Sequence, residues 1–354
     1  MKILVRATNW VGDAVMNLPA LETIMRHHPG AEVFVLSGYR VAPIFEAVDG
    51  IAGVMPYIGV RRRGSGSSAD LTFARAIRML NKQGFDKAFL FQNAFEAALL
   101  VFAAGIPVRV GYATDCRGLL LTSPVRATPE VKRLHHVEYY LNMVRAAGMS
   151  TDGSGIPTLK VPTRHRERAN ELVARALGES GRRGYVAVCP GAAYGSAKRW
   201  LPDRFARVID HVWGAHGTPS VLLGSEMERW ITSSITGTTS GKCVDLAGRT
   251  SLLEAAAVLA GASAVLSNDT GLMHLAAAVG PAVVAIFGST DPAATRPLGD
   301  KHVIIASGVE CAPCLERECP KHTYECMQSI SVDAVCEALD RVIATDERKL
   351  EVRG

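Results

Sequence analysis

Short apolar runs alternate along this chain with segments whose apolar positions recur every three or four residues. The first kind reads as buried strands and the second as amphipathic helices. KILVRA (Lys2–Ala7) opens as a strand, and a helix is expected from Gly12-Asp13 to about His28. Strand EVFVLS, helix VAPIFEAV and strand VMPYI follow, then a Gly/Ser-rich loop at Gly64–Ser68 and a helix from about Asp70 to Lys82. Strand KAFLF, helix NAFEAALLVFAA and strand VRVGY complete a first set. The stretch Ser150–Pro162, rich in Gly, Pro and Thr, reads as a linker.

The pattern then restarts. Helix RERANELVARAL leads to strand YVAVCPG, a helix from about Pro202, strand SVLLG, a further helix and strand CVDLAG. Helix SLLEAAAVLAGA, strand AVLSND, helix GLMHLAAAV and strand AVVAIFG close the second set. Such alternation implies an α/β fold with parallel sheets. We expect two Rossmann-like domains, residues 1–160 and 161–354, and the last helix could pack back onto the first.

A length of 354 residues suffices for two cores, and 48% hydrophobic with 21% charged residues excludes a disordered chain. No apolar run reaches the ~18 residues of a membrane span. Leu272–Phe287 comes nearest, broken by His274 and Gly280-Pro281. The N-terminus has no secretion-signal core, so a cytoplasmic protein is expected. The net charge of +5 favours an anionic partner. Its clusters at Arg61–Arg63, Lys132-Arg133, Arg164/Arg166/Arg168 and Arg182-Arg183 read as solvated surface. No nucleic-acid-binding signature accompanies them, and no nucleic-acid partner is expected.

The candidate chemistry lies in strand-to-helix turns, where open α/β sheets bind ligands. No GxGxxG follows the first strand, which removes the main support for a dinucleotide-dependent dehydrogenase. In NWVGDAVMNLPAL, Gly12 allows a tight turn and Asp13 falls near a helix N-terminus, as a cap or as an ionised base. In CPGAAYGSAKRW, small residues allow close backbone approach and Lys198 supplies a compact charge suited to phosphate. In SNDTGLMHLAAAV, Asp269, Thr270 and Gly271 precede a helix whose first N–H groups form an anion site, with His274 one turn in. A surface lysine and a core histidine are the ordinary alternatives.

Together, VGDAVMNLPAL, CPGAAYGSAKRW, LAGRTSL and NDTGLMHLAAA resemble the ADP-heptose:lipopolysaccharide heptosyltransferases of glycosyltransferase family nine, most of all the heptosyltransferase II branch. The resemblance spans nearly the whole chain. It implies a GT-B fold with the two sheets facing an interdomain cleft, the N-terminal half binding the acceptor and the C-terminal half ADP-heptose. It implies an inverting transfer of heptose onto the first heptose of the lipopolysaccharide inner core, with Asp13 as general base and Lys198 neutralising the diphosphate. Asp269, Thr270, Gly271 and His274 would hold the donor, Glu226 would touch the nucleoside, and Thr250 and Ser251 would line the adenine side. Arg117, in ATDCRGLLLT, would meet anionic sugars of the Kdo-lipid A core. Where relatives carry hydroxyls before the lysine, this chain has Ala192-Ala193-Tyr194, and Ser196 could substitute. No cofactor is expected, and the basic clusters suggest peripheral contact with the anionic inner membrane. Other acceptors within the family, heptosyltransferase I among them, and a sugar-nucleotide epimerase are the alternatives.

Cys311-x2-Cys314-x4-Cys319-x6-Cys326, with His322 inside it, has the donors of a structural metal site in a spacing that matches no standard zinc ribbon. A loop of free thiols is the plainer reading.

Overall fold

The computed structural model describes residues 1–57, 73–151, 153 and 155–351, with side chains at 182–183 and 346–351 excepted. The Gly64–Ser68 loop, the expected helix start at Asp70, the Arg61–Arg63 cluster and the side chains of Arg182-Arg183 lie outside the described residues.

The chain divides into two compact units, Met1–Leu159 and Lys160–Gly354. The first is built on six parallel strands: β1 (Lys2–Arg6), β2 (Glu32–Ser37), β3 (Gly53–Pro56), β4 (Lys87–Leu90), β5 (Val108–Tyr112) and β6 (Ser123–Val125). Their order is β3-β2-β1-β4-β5-β6. The second holds β7 (Val186–Cys189), β8 (Ser220–Leu222), β9 (Cys243–Asp245), β10 (Ala264–Asn268), β11 (Ala282–Phe287) and β12 (Val303–Ala306), in the order β12-β11-β10-β7-β8-β9. Both orders are the Rossmann arrangement, in which the chain reverses direction across the sheet beside the first strand. The reversal falls between β1 and β4 in one unit and between β7 and β10 in the other.

Strands covered on both faces read as continuous apolar runs, and β7 and β10 are buried throughout. The helix Pro202–His216 lays Phe205, Val208, Ile209 and Val212 against that sheet. The last helix, Val332–Glu351, buries Val335, Ala338, Leu339, Val342 and Ile343 in the core of its own unit. Truncating a fully buried strand leucine such as Leu266 to alanine would cost about 2–5 kcal/mol.

Strands β6 and β12 and the helix His136–Ala146 add to the expected elements, and one expected helix is divided. The helix anticipated from Gly12-Asp13 to His28 is two helices, Val11–Met16 and Leu18–His27. Pro19 has no N–H to continue the ladder. At the break, Asn17 turns inward and accepts hydrogen bonds from the Thr8 N–H (3.1 Å) and hydroxyl (3.0 Å). Among the described residues no helix is long and apolar enough to cross a membrane.

Candidate active site

Asp13 follows β1, and Lys198 and Asp269–His274 follow β7 and β10, strands that flank the two reversals.

In the first unit, β1 ends at Arg6 and the helix Val11–Met16 begins almost at once, with Asp13 in its first turn. Trp10 is the capping position, so Asp13 is not the cap, and its carboxylate points elsewhere. His136 opens the helix His136–Ala146, and its buried Nδ1 lies 3.4 Å from Asp13 Oδ1 with no hydrogen-bond partner of its own. The Asp13 side chain is 26% exposed and therefore reachable. Below it lies Tyr140, whose phenol is pushed well above its ordinary value by burial and by the Asp13 charge. Sequence reasoning missed His136. The doublet His135-His136 has no motif around it, and its partner is more than a hundred residues away.

Arg117 requires a correction. It was expected to meet anionic sugars, but its side chain is wholly buried. Its guanidinium donates to the Tyr112 carbonyl (2.7 Å), the Gln92 carbonyl and Asn93 Oδ1 (3.1 Å). Burial pulls it down to about 10. Its recorded hydrogen bonds go to two backbone carbonyls and one side-chain amide at the ends of β4 and β5. What it orders is Asn93, whose amide donates to the Tyr139 hydroxyl at 2.8 Å.

In the second unit, β7 runs into the loop that carries Lys198, and β10 runs into Asp269. The Lys198 ammonium lies 2.6 Å from Asp269 Oδ2, with the two side chains 14% and 4% exposed. The same carboxylate oxygen accepts the Thr290 hydroxyl at 2.6 Å. Lys198 also stands over the Tyr194 ring, 5.2 Å from its centroid. Thr270 caps the helix Gly271–Val279, its hydroxyl accepting from the Leu272 N–H at 3.1 Å. The first-turn N–H groups of a helix lack intrahelical acceptors, and its dipole favours an anion there. A fixed cation therefore sits beside a helix N-terminus. His274 is buried one turn in. Asn268 ties the two turns together, accepting from the Trp200 N–H (3.2 Å) and donating to the Pro190 carbonyl (2.7 Å).

The remaining expected residues are dispersed. Glu226 is exposed and pairs with Arg229 at 3.1 Å. Glu228, which sequence reasoning passed over, lies at the β7 turn: a β-carbon on Gly191 would collide with its carboxylate. Thr250 is half-buried, and Ser251 is engaged in capping the helix Leu252–Ala260.

The cysteine loop braces this site. Ser196 and the Tyr324 hydroxyl are 3.1 Å apart. The Tyr194 hydroxyl donates to the Leu315 carbonyl at 2.9 Å, and the Ala197 N–H to the Arg317 carbonyl at 3.0 Å. Gly195 is required there, because a β-carbon would fall on that Arg317 carbonyl. Ser196 is thus partly spent on the loop. All eight cysteines are free. Cys311, Cys314 and Cys319 lie near enough to Cys326 for their charges to add to the burial that pushes its thiol up. No three of the four sulfurs, however, come within mutual ligand spacing.

The glycosyltransferase family 9 (heptosyltransferase) profile matches residues 73–325. Lipopolysaccharide heptosyltransferase 2 of Escherichia coli (strain K12) is 27% identical, over 98% of this chain and all of that protein. Its namesake from Salmonella typhimurium is 31% identical over 86% of this chain and 88% of its own length. Among solved structures, that of E. coli ADP-heptose lipopolysaccharide heptosyltransferase II superposes with a TM-score of 0.81 at 25% identity, covering 98% of this chain and 100% of that one. A family 9 glycosyltransferase from Veillonella parvula gives 0.83 at 19% identity, covering 97% of each chain. With the paired α/β units, these matches make the fold GT-B and the chain an enzyme: it belongs to glycosyltransferase family 9, the heptosyltransferases.

Proposed function

We propose that this enzyme transfers heptose from ADP-L-glycero-D-manno-heptose to the first heptose of the lipopolysaccharide inner core, the reaction of heptosyltransferase II. The observation that carries the chemistry is the Lys198–Asp269 pair at the start of the helix Gly271–Val279. An ammonium has three donors. Asp269 takes one and fixes the group in place, leaving the others for the diphosphate of the donor.

In this reading the second unit binds ADP-heptose and the first the acceptor. Asp13 accepts the proton of the acceptor hydroxyl as that oxygen bonds to the anomeric carbon. The bond from this carbon to the diphosphate oxygen breaks on the opposite face, and ADP leaves with its electron pair. Lys198 and the N–H groups at Thr270-Gly271 stabilise the leaving charge electrostatically. His136 holds the Asp13 carboxylate in orientation, and Gly12 lets the acceptor approach. Asp269, Thr270 and His274 hold the donor sugar. Ser196, Glu226, Thr250 and Ser251 flank the phosphates and nucleoside, with Glu228 joining them at the β7 turn.

No divalent ion has a role in this transfer. A thiophilic metal at Cys311, Cys314, Cys319 and Cys326 would be structural, and would have to draw the sulfurs together. The enzyme works in the cytoplasm against a lipid-anchored acceptor, held at the inner membrane by its basic surface.

The test is ADP release from ADP-heptose with no acceptor, with Kdo₂-lipid A, and with that lipid already carrying one heptose. Release only with the last, with a matching gain in mass, supports the assignment. Release with the unheptosylated lipid moves it to heptosyltransferase I. Turnover of ADP-heptose without acceptor would overturn transfer altogether.

A further inference from the structure

Far along the donor unit from Lys198, a second group of side chains has the chemistry of a metal site. His211 and His216 lie near the end of the helix Pro202–His216, and Asp340 comes from the last helix. His211 Nε2 is 3.0 Å from both Asp340 oxygens, and His216 Nε2 is 2.7 Å from Oδ1. Among the described residues this is the one group of three histidine, cysteine or acidic side chains whose ligand atoms all lie within 4.8 Å of one another. We propose that His211, His216 and Asp340 form a binding site for a divalent transition ion of the zinc class, which bolts the last helix to the helix that follows the Lys198 loop.

Two imidazole nitrogens and one carboxylate oxygen are a ligand set that zinc takes readily, with water in the remaining position. Metal–ligand bonds of about 2.0–2.2 Å separate neighbouring ligand atoms by roughly 3.3 Å, so each histidine need move from the Asp340 carboxylate by only about half an ångström, with all three ligand atoms already within 4.8 Å of one another. They are half-buried, with side-chain exposures of 36%, 21% and 38%. That geometry gives the ion both shelter and access to water. A hydrogen-bonded trio is what the same side chains make when unloaded, since one carboxylate can accept from both rings.

The position defines the role. The helix Pro202–His216 is 15 residues long, about 22 Å, and its other end adjoins Trp200 and the Lys198 loop. An ion at His216 touches no donor group. It joins the last helix to the helix Pro202–His216, both part of the unit's core, and stiffens the frame on which the donor loops rest. The site is independent of the cysteine loop and of the transfer reaction proposed above.

The experiment uses the full-length enzyme stripped with EDTA and titrated with cobalt(II), then zinc(II), with absorption and thermal unfolding as readouts. One equivalent of cobalt should bind with weak ligand-field bands and no sulfur charge-transfer band, and zinc should displace it and raise the melting temperature by several degrees. H211A/H216A should weaken binding by about tenfold or more and abolish the thermal shift. D340N, which keeps the shape of the side chain, guards against a double variant that fails to fold, and should lose most of the affinity. C319S/C326S should bind as the parent does. Unchanged binding in D340N, or no thermal response of the parent to zinc, would overturn the proposal. A sulfur charge-transfer band that is lost in C319S/C326S would overturn it equally, by placing the ion at the cysteine loop.

Discussion

The two turns beside the sheet reversals share a topology, but their charged groups are held in opposite ways. In the second unit Lys198 and Asp269 meet at 2.6 Å with almost no exposure, and Thr290, Asn268 and the cysteine loop fasten the surrounding turns. In the first unit Asp13 is a quarter exposed, and the His136 imidazole stands off at 3.4 Å. A site that must hold a diphosphate gains from charges fixed in advance, because no reorganisation is then needed as charge develops. A base must instead be met by the hydroxyl it deprotonates, and so stays open. In the proposed transfer, the loosely held carboxylate would be the chemical element and the tightly held pair the binding element.

That contrast gives its largest effect at Asp13. Asp13→Asn keeps the shape and removes the base, so turnover should fall by about 10²–10⁴ with ADP affinity unchanged. Turnover within a few-fold of the parent would leave Asp13 no chemical role. At the other turn, Lys198→Ala should lower turnover by about 10²–10³ and should also weaken ADP binding, measured by calorimetry. It should lower the melting temperature as well, since Asp269 is left buried with its charge uncompensated. A variant with normal ADP affinity would remove the lysine from the donor site and erase the contrast.

His136 sharpens the comparison with a smaller effect. Its substitution by alanine should cost about tenfold in kcat with KM little changed, because it acts only through the Asp13 carboxylate. His136→Asn, which retains a donor near the same place, should recover part of that loss. A rise in KM with kcat intact would make His136 an acceptor contact instead.

Sequence pattern disclosed what is local and left obscure what is assembled from afar. The strands were legible because burial on both faces leaves an unbroken apolar run, as in AVLSN and VAVC. The placement of Asp13, Lys198 and Asp269 in turns after parallel strands was legible from the alternation of strand and helix. Arg117 was misjudged because nothing local marks an arginine for burial. Its acceptors are contributed by Gln92, Asn93 and Tyr112, from the ends of other strands. The cysteine loop was read for its metal-ligand chemistry, whereas its contacts with Tyr194, Ser196 and Ala197 join segments more than a hundred residues apart. The interruption at Asn17 was visible in Pro19, but a periodicity that continues on either side concealed it.

The smallest expected effect separates the units by stability rather than turnover. His302 lies just before β12 and accepts the Val283 N–H of β11 on Nδ1 at 3.2 Å, and the Leu298 backbone carbonyl offsets only part of the cost of burying its ring. Burial, with the Lys301 charge beside it, pushes the imidazole from an ordinary value of 6.5 down to about 4. Between those values the unfolded chain holds a proton that the folded chain refuses, so stability falls as pH falls through that interval. The strand at risk is β11, which leads to Thr290 and so to Asp269. Between pH 7 and pH 5 the melting temperature of the donor unit should therefore drop by a few degrees, roughly what ~1 kcal/mol does to a unit of this size. His302→Gln, which cannot take up a proton, should flatten that slope while leaving the ADP affinity at pH 7 as it was. An equal drop in both proteins would assign the acid sensitivity to carboxylates, and the coupling of β11 to the donor site would have no titrating group behind it.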